Sequence, residues 1–270
     1  MPEDAPANSS PNPVKIVGIV PARWGSSRFP GKPLCQIAGK PLIQHVWERC
    51  QETRRLDSTV IATDDERIAS AARGFGAEVC MTADNHPSGT DRIAEAAQQC
   101  GDATHIINIQ GDEPLISPQL IDQLAISLAE NSKISMITAA NPLKELKDRQ
   151  DSNIVKVVLS KQGDALYFSR SPIPFQRQAT ATDQPATPYY RHKGIYGFSR
   201  EFLLQFVRWE PSPLELSEQL EQLRALENGA RIRVIITDDE SIGVDTPEQA
   251  QMVAQLISTA PKTQDPNSTP

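Results

Sequence analysis

From residue 14 to residue 110 short apolar runs alternate with segments of helical character. The first run, Ile16 to Val20, delivers the chain into the basic stretch "PARWGSSRFPGKP", after which a helix is predicted from Pro41 to Glu52. "STVIATDD" predicts a second strand, the alanine-rich Glu66 to Arg73 a helix, and "AEVCMT" a third strand. Asp91 to Cys100 follows as a helix, and "HIINIQGDEP" as a fourth strand that ends at Gln110. Strands alternating with helices are the pattern of a parallel sheet flanked by helices. Continuous apolar runs of this kind suit strands covered on both faces.

After Asn131 the order changes. "ISMITAA" predicts a strand, and "NIVKVVLSKQGDALYFSR" predicts two strands joined by a turn at Gln162 to Asp164, a hairpin laid over one end of the sheet. The Pro- and Thr-rich stretch 171–188 reads as a long loop. A strand "GIYGFS", helices over 200–207 and 213–227, a turn at Asn228-Gly229, the strand "RIRVIIT" and a helix from Pro247 complete the prediction. Residues 1–13 and 260–270 offer almost nothing to bury and read as disordered tails. One domain over 14–259, with a lobe at about 140–210, is the resulting organisation.

Composition narrows the partners. The 270 residues are 39% hydrophobic and 23% charged, as in ordinary globular proteins. A formal net charge of -7 argues against a nucleic-acid or membrane-surface binder, which usually carries excess cations. A basic loop on an acidic chain therefore points to a small, local anion. Cys35, Cys50, Cys80 and Cys100 form no CxxC pair and have no histidine at metal-ligand spacing, so free thiols in a reducing compartment are expected. The N-terminal stretch lacks the pattern of a signal peptide, and no apolar run reaches the roughly 20 residues that span a bilayer. A cytoplasmic protein without membrane insertion is the expectation.

The basic loop fails as a Walker A motif, because five residues separate Gly25 from Gly31 and Pro33 follows Lys32. The dinucleotide fingerprint GxGxxG is also missing after the first strand. What remains is another kind of anion cradle. Ala22, Gly25, Ser26 and Ser27 let backbone N–H groups approach oxygens, while Arg23, Arg28 and Lys32 supply charge. A solvated basic turn is the competing reading, and the loop's place after the carboxyl end of a strand favours the ligand.

Two carboxylates belong to the same picture. Asp112 and Glu113 emerge where the fourth strand ends, and Asp245 in "SIGVDTPE" precedes the helix that Pro247 starts. Taken alone, Asp245 reads more readily as a helix N-cap. Magnesium, however, takes one or two carboxylates and leaves its other positions to water and phosphate, and Asp112 with Asp245 would make such a pair. Asp64-Asp65 and Asp238-Asp239-Glu240 read as solvated runs.

The segments "PARWGSSRFPGKPL", "HPSGTDRIAEA", "NIQGDEP", "VKVVL", "GDALYFSR", "RHKGIYGF", "SPLELSEQLEQLRALENG" and "GVDTPE" together resemble the 3-deoxy-manno-octulosonate cytidylyltransferases, or CMP-Kdo synthetases, in order from about residue 14 to 257. The resemblance implies an α/β, Rossmann-like nucleotidyltransferase fold, a mostly parallel sheet with flanking helices and a β-hairpin dimerisation lobe. It implies transfer of CMP from CTP to the sugar acid Kdo with release of pyrophosphate, dependence on Mg2+, a homodimer, and a place in lipopolysaccharide-type glycan synthesis.

By the same resemblance, Arg23, Arg28 and Lys32 form a triphosphate clamp, with Ala22 and Ser26 as further nucleotide contacts. Asp112 and Asp245 are the implied metal ligands. Ser88, Gly89 and Thr90, with Arg92, match the part that recognises cytosine, and Gln110 serves both nucleotide and sugar. Arg170, His192, Tyr196, Glu221 and Gln222 match the sugar-acid site, where Arg or a protonated His suits a carboxylate and Gln, Tyr and Glu suit hydroxyls. From the residues alone each has a plainer reading: Glu221 as a surface ion pair with Arg224, His192 as an exposed histidine, Tyr196 as packing, Arg170 as a solubilising charge.

Departures are Trp24, where the family often has a smaller aromatic, and 171–188, which has no firm match. A cytidylyltransferase for 8-amino-Kdo or sialic acid is the near alternative. A silent nucleotide-binding regulator is the alternative from another class. A glycosyltransferase using Asp238 to Glu240 fits less well, since the basic loop suits a leaving triphosphate.

Overall fold

The protein is described here by a computed structural model covering residues 13–25, 29–177 and 188–259. Ser26, Ser27, Arg28, the two predicted tails apart from Pro13, and most of the predicted long loop lie outside the described residues. In chain order the strands and helices are β1 (Ile16–Ala22), β2 (Gln36–Ile37), β3 (Lys40–Pro41), α1 (Leu42–Gln51), β4 (Ser58–Thr63), α2 (Glu66–Gly74), β5 (Glu78–Met81), α3 (Gly89–Gln99) and β6 (His105–Asn108). Then come α4 (Pro118–Ala129), β7 (Met136–Pro142), α5 (Leu146–Gln150), β8 (Lys156–Leu159), β9 (Ala165–Ser169) and β10 (Tyr190–Ser199). The chain continues through α6 (Arg200–Phe206), α7 (Pro213–Glu218), α8 (Gln222–Glu227), β11 (Ile232–Ile236) and α9 (Pro247–Thr259).

The main sheet runs β11-β7-β10-β6-β1-β4-β5. β1 lies parallel to β4 and β6, with Ile19 opposite Val60 on one side and Asn108 on the other. β10 enters antiparallel between β6 and β7, and β11 extends β7 in parallel. Both faces are covered, as the uninterrupted apolar runs predict. One face packs Ile19, Ile106, Phe198 and Phe206, and the other Val20, Ile61, Ile107 and Leu124. The strands of the parallel half therefore all point their carboxyl ends at one rim.

Three differences from the sequence reading matter for the site. Helix α4 was not anticipated, although Ser117 caps it and Pro118 opens it. Its buried Leu120, Ile121, Leu124, Ala125 and Leu128 make a wide apolar stripe that leans on the sheet between β6 and β7. The segment 213–227 is two helices rather than one: Gln219 adopts φ 53° and Leu220 N–H reaches back to the Glu215 carbonyl at 3.2 Å, closing α7 with a Schellman-type turn. Glu221 consequently sits at the start of α8 and turns inward instead of lining a surface helix.

The third difference concerns the hairpin. β8 and β9 do pair around the predicted turn, but β8 also bonds along β10, so the hairpin prolongs the sheet rather than lying over it. Its base is held by the buried Lys156, whose ammonium donates to the carbonyls of Asp151 at 2.9 Å, Ile154 at 2.6 Å and Arg170 at 2.5 Å. Three carbonyl acceptors replace the water that a buried ammonium gives up.

Candidate active site

At the carboxyl ends of β1 and β6 the loops part around an open cleft of about 330 Å³. Ala22, Arg23, Lys32, Ser88, Gly89, Arg92, Gln110, Asp112 and Asp245 all line it. The floor is tight because the turn after β6 crosses the end of β1. A Cβ on Gly111 would stand 2.7 Å from the Pro21 carbonyl oxygen, so glycine is what lets Asp112 approach so closely.

Lys32 is aimed by a local device. Gly31 adopts φ 70° beneath the Trp24 ring, where a Cβ would stand 3.0 Å from the indole. The Arg67 guanidinium covers the indole at 3.4 Å from its centroid and also binds the Asp65 carboxylate, which caps α2. From this platform the Lys32 ammonium reaches Asp112 Oδ2 at 2.7 Å and Asp245 Oδ1 at 3.1 Å. Side chains 80 and 213 positions away along the chain thus meet at one cation.

Asp245 is not the helix cap. Thr246 fills that role, its hydroxyl accepting from Gln249 N–H at 3.3 Å, while the Gln249 side chain accepts from Asp245 N–H at 2.6 Å. The Asp245 carboxylate is thereby turned to the cleft. A hydrogen bond from Val244 N–H to the Asp112 carbonyl, 2.8 Å, ties the two acidic segments together. Two carboxylates already gathered around a positive group suit a hard divalent ion, which favours oxygen ligands. Among the described residues no third His, Cys, Asp or Glu joins them, so water and phosphate would complete such an ion's shell.

The opposite wall begins at the N-terminus of α3. Ser88 caps the helix, accepting from Asp91 N–H at 3.1 Å, and its hydroxyl lies 2.9 Å from Glu221 Oε1. Thr90 bonds the other Glu221 oxygen. Burial raises the Glu221 pKa above the usual carboxylate range, opposed by the Thr90 and Ser88 hydroxyls. Tyr196 lies next in line, its phenol pKa raised by burial and then by Glu221, and His192 packs 5.3 Å from it, centroid to centroid. Gln222 is buried with its Nε2 unpartnered among the described residues. Gln110 joins both walls, lining the cleft and donating to the Gly194 carbonyl at 2.9 Å, where β10 bulges.

Several residues sit differently from the expectation. Arg92 lines the cleft but is buried, and its guanidinium is spent on Thr82, on the Ala83 carbonyl and on Asp64 at 3.1 Å. Asp64 and Asp65 are therefore not a solvated run. Nor is Asp239, which is buried against Lys193 and accepts from Ser117 N–H at 2.8 Å. Arg170 is occupied by the carbonyls of Glu218 at 2.8 Å and Ser152 at 3.1 Å, at the edge of the hairpin and away from the cleft lining. Ser26 and Arg28 lie outside the described residues. His86, which lines the cleft and bonds Glu95, was missed; its place in "HPSGTDR", three residues before α3, was the available signal.

His192 is not the exposed or protonated histidine considered from sequence. Its ring is wedged against Phe168 and Tyr196, and Nε2 lies 3.0 Å from the Thr138 hydroxyl. Burial, with the neighbouring Lys193 charge, pushes its pKa down to about 3, so it stands as a neutral imidazole. An unfolded imidazole takes up its proton near pH ~6.5. The folded chain does not, so the stability present above that pH drains away as pH falls towards about 3. Urea titrations from pH 7 to pH 4 should show a falling midpoint, and His192→Asn should flatten the fall. An unchanged slope would remove His192 as its source.

The comparisons agree with this geometry. Residues 17–232 match the family described as Cytidylyltransferase. A 3-deoxy-manno-octulosonate cytidylyltransferase of Solibacter usitatus is 51% identical over 91% of this chain and 95% of its own length. That of Geobacter sulfurreducens is 50% identical over 90% of this chain and all of its own. A solved structure of CMP:2-keto-3-deoxy-manno-octonic acid synthetase complexed with CTP superposes with a TM-score of 0.85 at 39% identity, covering 90% of this chain and 98% of that one. A Leptospira borgpetersenii cytidylyltransferase, 17% identical over 91% of this chain and 87% of its own, shares the fold with a TM-score of 0.61. A basic loop, a joined pair of aspartates and a fold of this kind, carried on half-identical sequence, place the chain in the cytidylyltransferase family, among the 3-deoxy-manno-octulosonate cytidylyltransferases.

Proposed function

We propose that the chain transfers CMP from CTP to Kdo and releases pyrophosphate. The observation that carries this reading is the meeting of Lys32, Asp112 and Asp245 at one edge of a cleft whose other wall holds Ser88, with Glu221 bonded behind it. The cleft orders the reaction from one wall to the other. The triphosphate lies by Arg23 and Lys32, and the cytosine end against the N-terminus of α3, whose dipole and N–H groups favour oxygen acceptors. The sugar acid lies towards Gln110, Tyr196, Glu221 and Gln222, whose amides, phenol and carboxyl match hydroxyl groups.

In that pose the anomeric hydroxyl oxygen attacks the α-phosphorus, a P–O bond forms, the bond from that phosphorus to the bridging oxygen breaks in line so that the oxygen leaves on pyrophosphate, and the hydroxyl proton passes to water in the open cleft. Arg23 and Lys32 hold the charge that develops on the departing pyrophosphate, and positioning carries much of the rate. Lys32, displaced from the two carboxylates or shared with them, brings its ammonium to the phosphates from a fixed platform. Asp112 and Asp245 would hold Mg2+, which when bound would supply Lewis-acid neutralisation of phosphate oxygens. Neutral His192 holds the Tyr196 ring in place and does not serve as the counter-ion of the sugar carboxylate.

A cytoplasmic location and a homodimer complete the proposal. The exposed Leu166 on β9 and Phe175 beyond it offer apolar surface for a second copy near the hairpin. Pyrophosphate release measured with CTP, Mg2+ and a panel of Kdo, its 8-amino analogue and sialic acid tests the reading. Fast release with Kdo is expected, and the same preparation should sediment as two chains. Release only with another acid would reassign the substrate. Tight CTP binding without release for any sugar would favour a silent regulator.

A further inference from the structure

We propose that Lys193 is a positioning residue that sets the separation of Asp112 and Asp245 from beneath the cleft. Lys193 stands on β10 immediately before the bulge and is 5% exposed. Its ammonium lies 3.2 Å from Asp239 Oδ1, 2.6 Å from Ser241 Oγ, 3.0 Å from the Ser241 carbonyl and 3.7 Å from Glu113 Oε2. The Ser241 hydroxyl lies 3.0 Å from the same Glu113 oxygen. One buried cation therefore joins the residue next to Asp112 to the segment that runs into Asp245.

The rest of the network has the same two ends. Asn141 on β7 donates to the carbonyls of Thr237 at 2.9 Å and Asp239 at 2.7 Å, fixing where that segment leaves the sheet. Ser241 N–H donates to Asp239 Oδ1 at 2.7 Å, folding the segment back on itself. On the next residue of β10, the Gly194 carbonyl holds Gln110. Strand β10 thus grips the turn after β6 at Gln110 and Glu113, and through Lys193 it grips the Asp245 segment as well.

A surface ion pair in this place would do little, because water screens it. Here the carboxylates of Asp239 and Glu113 are both withdrawn from solvent, with side-chain exposures of 4% and 13%. Without the ammonium they would repel one another across the gap that Ser241 spans. The Glu113 backbone carries Asp112 with it, so the two cleft carboxylates would move apart. A small divalent ion demands near-ideal ligand geometry and registers such a change strongly.

The inference rests on the reading of Asp112 and Asp245 as a metal-binding pair, and the two are separable by experiment. Mn2+ binding to the full chain with CTP present, followed by electron paramagnetic resonance, is compared for the parent, Lys193→Met and Asp112→Ala. The Mn2+ dissociation constant of Lys193→Met should rise about tenfold, as when a partner of a metal ligand is removed. Its CTP affinity without metal and its KM for the sugar acid should stay near the parent's, while kcat falls and recovers in part at high Mn2+. Parent-like Mn2+ affinity in a folded Lys193→Met overturns this inference alone. Parent-like affinity in Asp112→Ala overturns the reading of the pair. If Lys193→Met does not fold, Ser241→Ala removes the hydroxyl bridge between Lys193 and Glu113 while keeping every charge. A several-fold weaker Mn2+ affinity is then expected, and an unchanged one overturns the inference.

Discussion

Asp112→Ala is expected to lower kcat by on the order of 10²-fold or more, and Asp245→Ala by a similar factor, with the fold intact. Both carboxylates face the cleft and share the Lys32 ammonium. Removing either takes away half of the pair proposed to hold the metal and leaves Lys32 drawn to the survivor. Folding should suffer little, because the side chains of Asp112 and Asp245 are 31% and 44% exposed and ion pairs in contact with water contribute modestly. The loss therefore belongs to the reaction and not to unfolding. Steady-state pyrophosphate release across a magnesium titration, beside a thermal melt, separates the two. Parent-like rates at ordinary magnesium levels in both variants would remove the pair from the mechanism.

Arg224→Met should be the most damaging single change for stability, costing about 3–5 kcal/mol. Its guanidinium makes two bonds to Glu215, at 2.8 and 2.5 Å, with the pair almost wholly withdrawn from water, and it lies over the Phe206 ring. Glu215 also bonds the Ser212 N–H in the capping box of α7, so its charge would be stranded where two helices and a core meet. For a domain of this size that cost lowers Tm by on the order of 10 °C. Arg224 also lies 4.0 Å from Glu221, so KM for the sugar acid should rise in the same variant. Replacing both partners, as Arg224→Met with Glu215→Leu, should restore most of the stability, since no charge is left buried alone. A single variant that melts like the parent would show that the pair is not holding α7 to α8.

The strands of the parallel half were legible because they are buried on both faces and so read as unbroken apolar runs. The helix over Pro118–Ala129 was not, since the strongest patterns lay in the strands on either side of it. The break at Gln219 escaped for a different reason. No glycine or proline marks it, and it is held by the Glu215–Arg224 pair, a tertiary contact. At the site, the cations and Asp112 stood out through charge after strand ends, and Asp245 through its place just before the helix at Pro247. That Thr246 rather than Asp245 caps α9 depends on the Gln249 side chain, a choice that local spacing leaves open. The residues proposed for the sugar side came from resemblance, and the placing of Glu221 beside α3 rests on its contact with Ser88, 133 positions away. Asp239 was misread because an acidic run looks solvated until a buried lysine is found opposite it.

The contact between Glu221 and the first turn of α3 has a consequence for altering selectivity. In the proposed reaction one carboxyl group would be at once a wall of the sugar chamber and, through its bonds to Ser88 and Thr90, a strut for the helix end proposed to meet the nucleotide. Reshaping that chamber for a bulkier or differently charged acid would slacken the grip on the base as well. A redesign that kept both preferences would have to rebuild Ser88, Thr90 and Glu221 as a single unit.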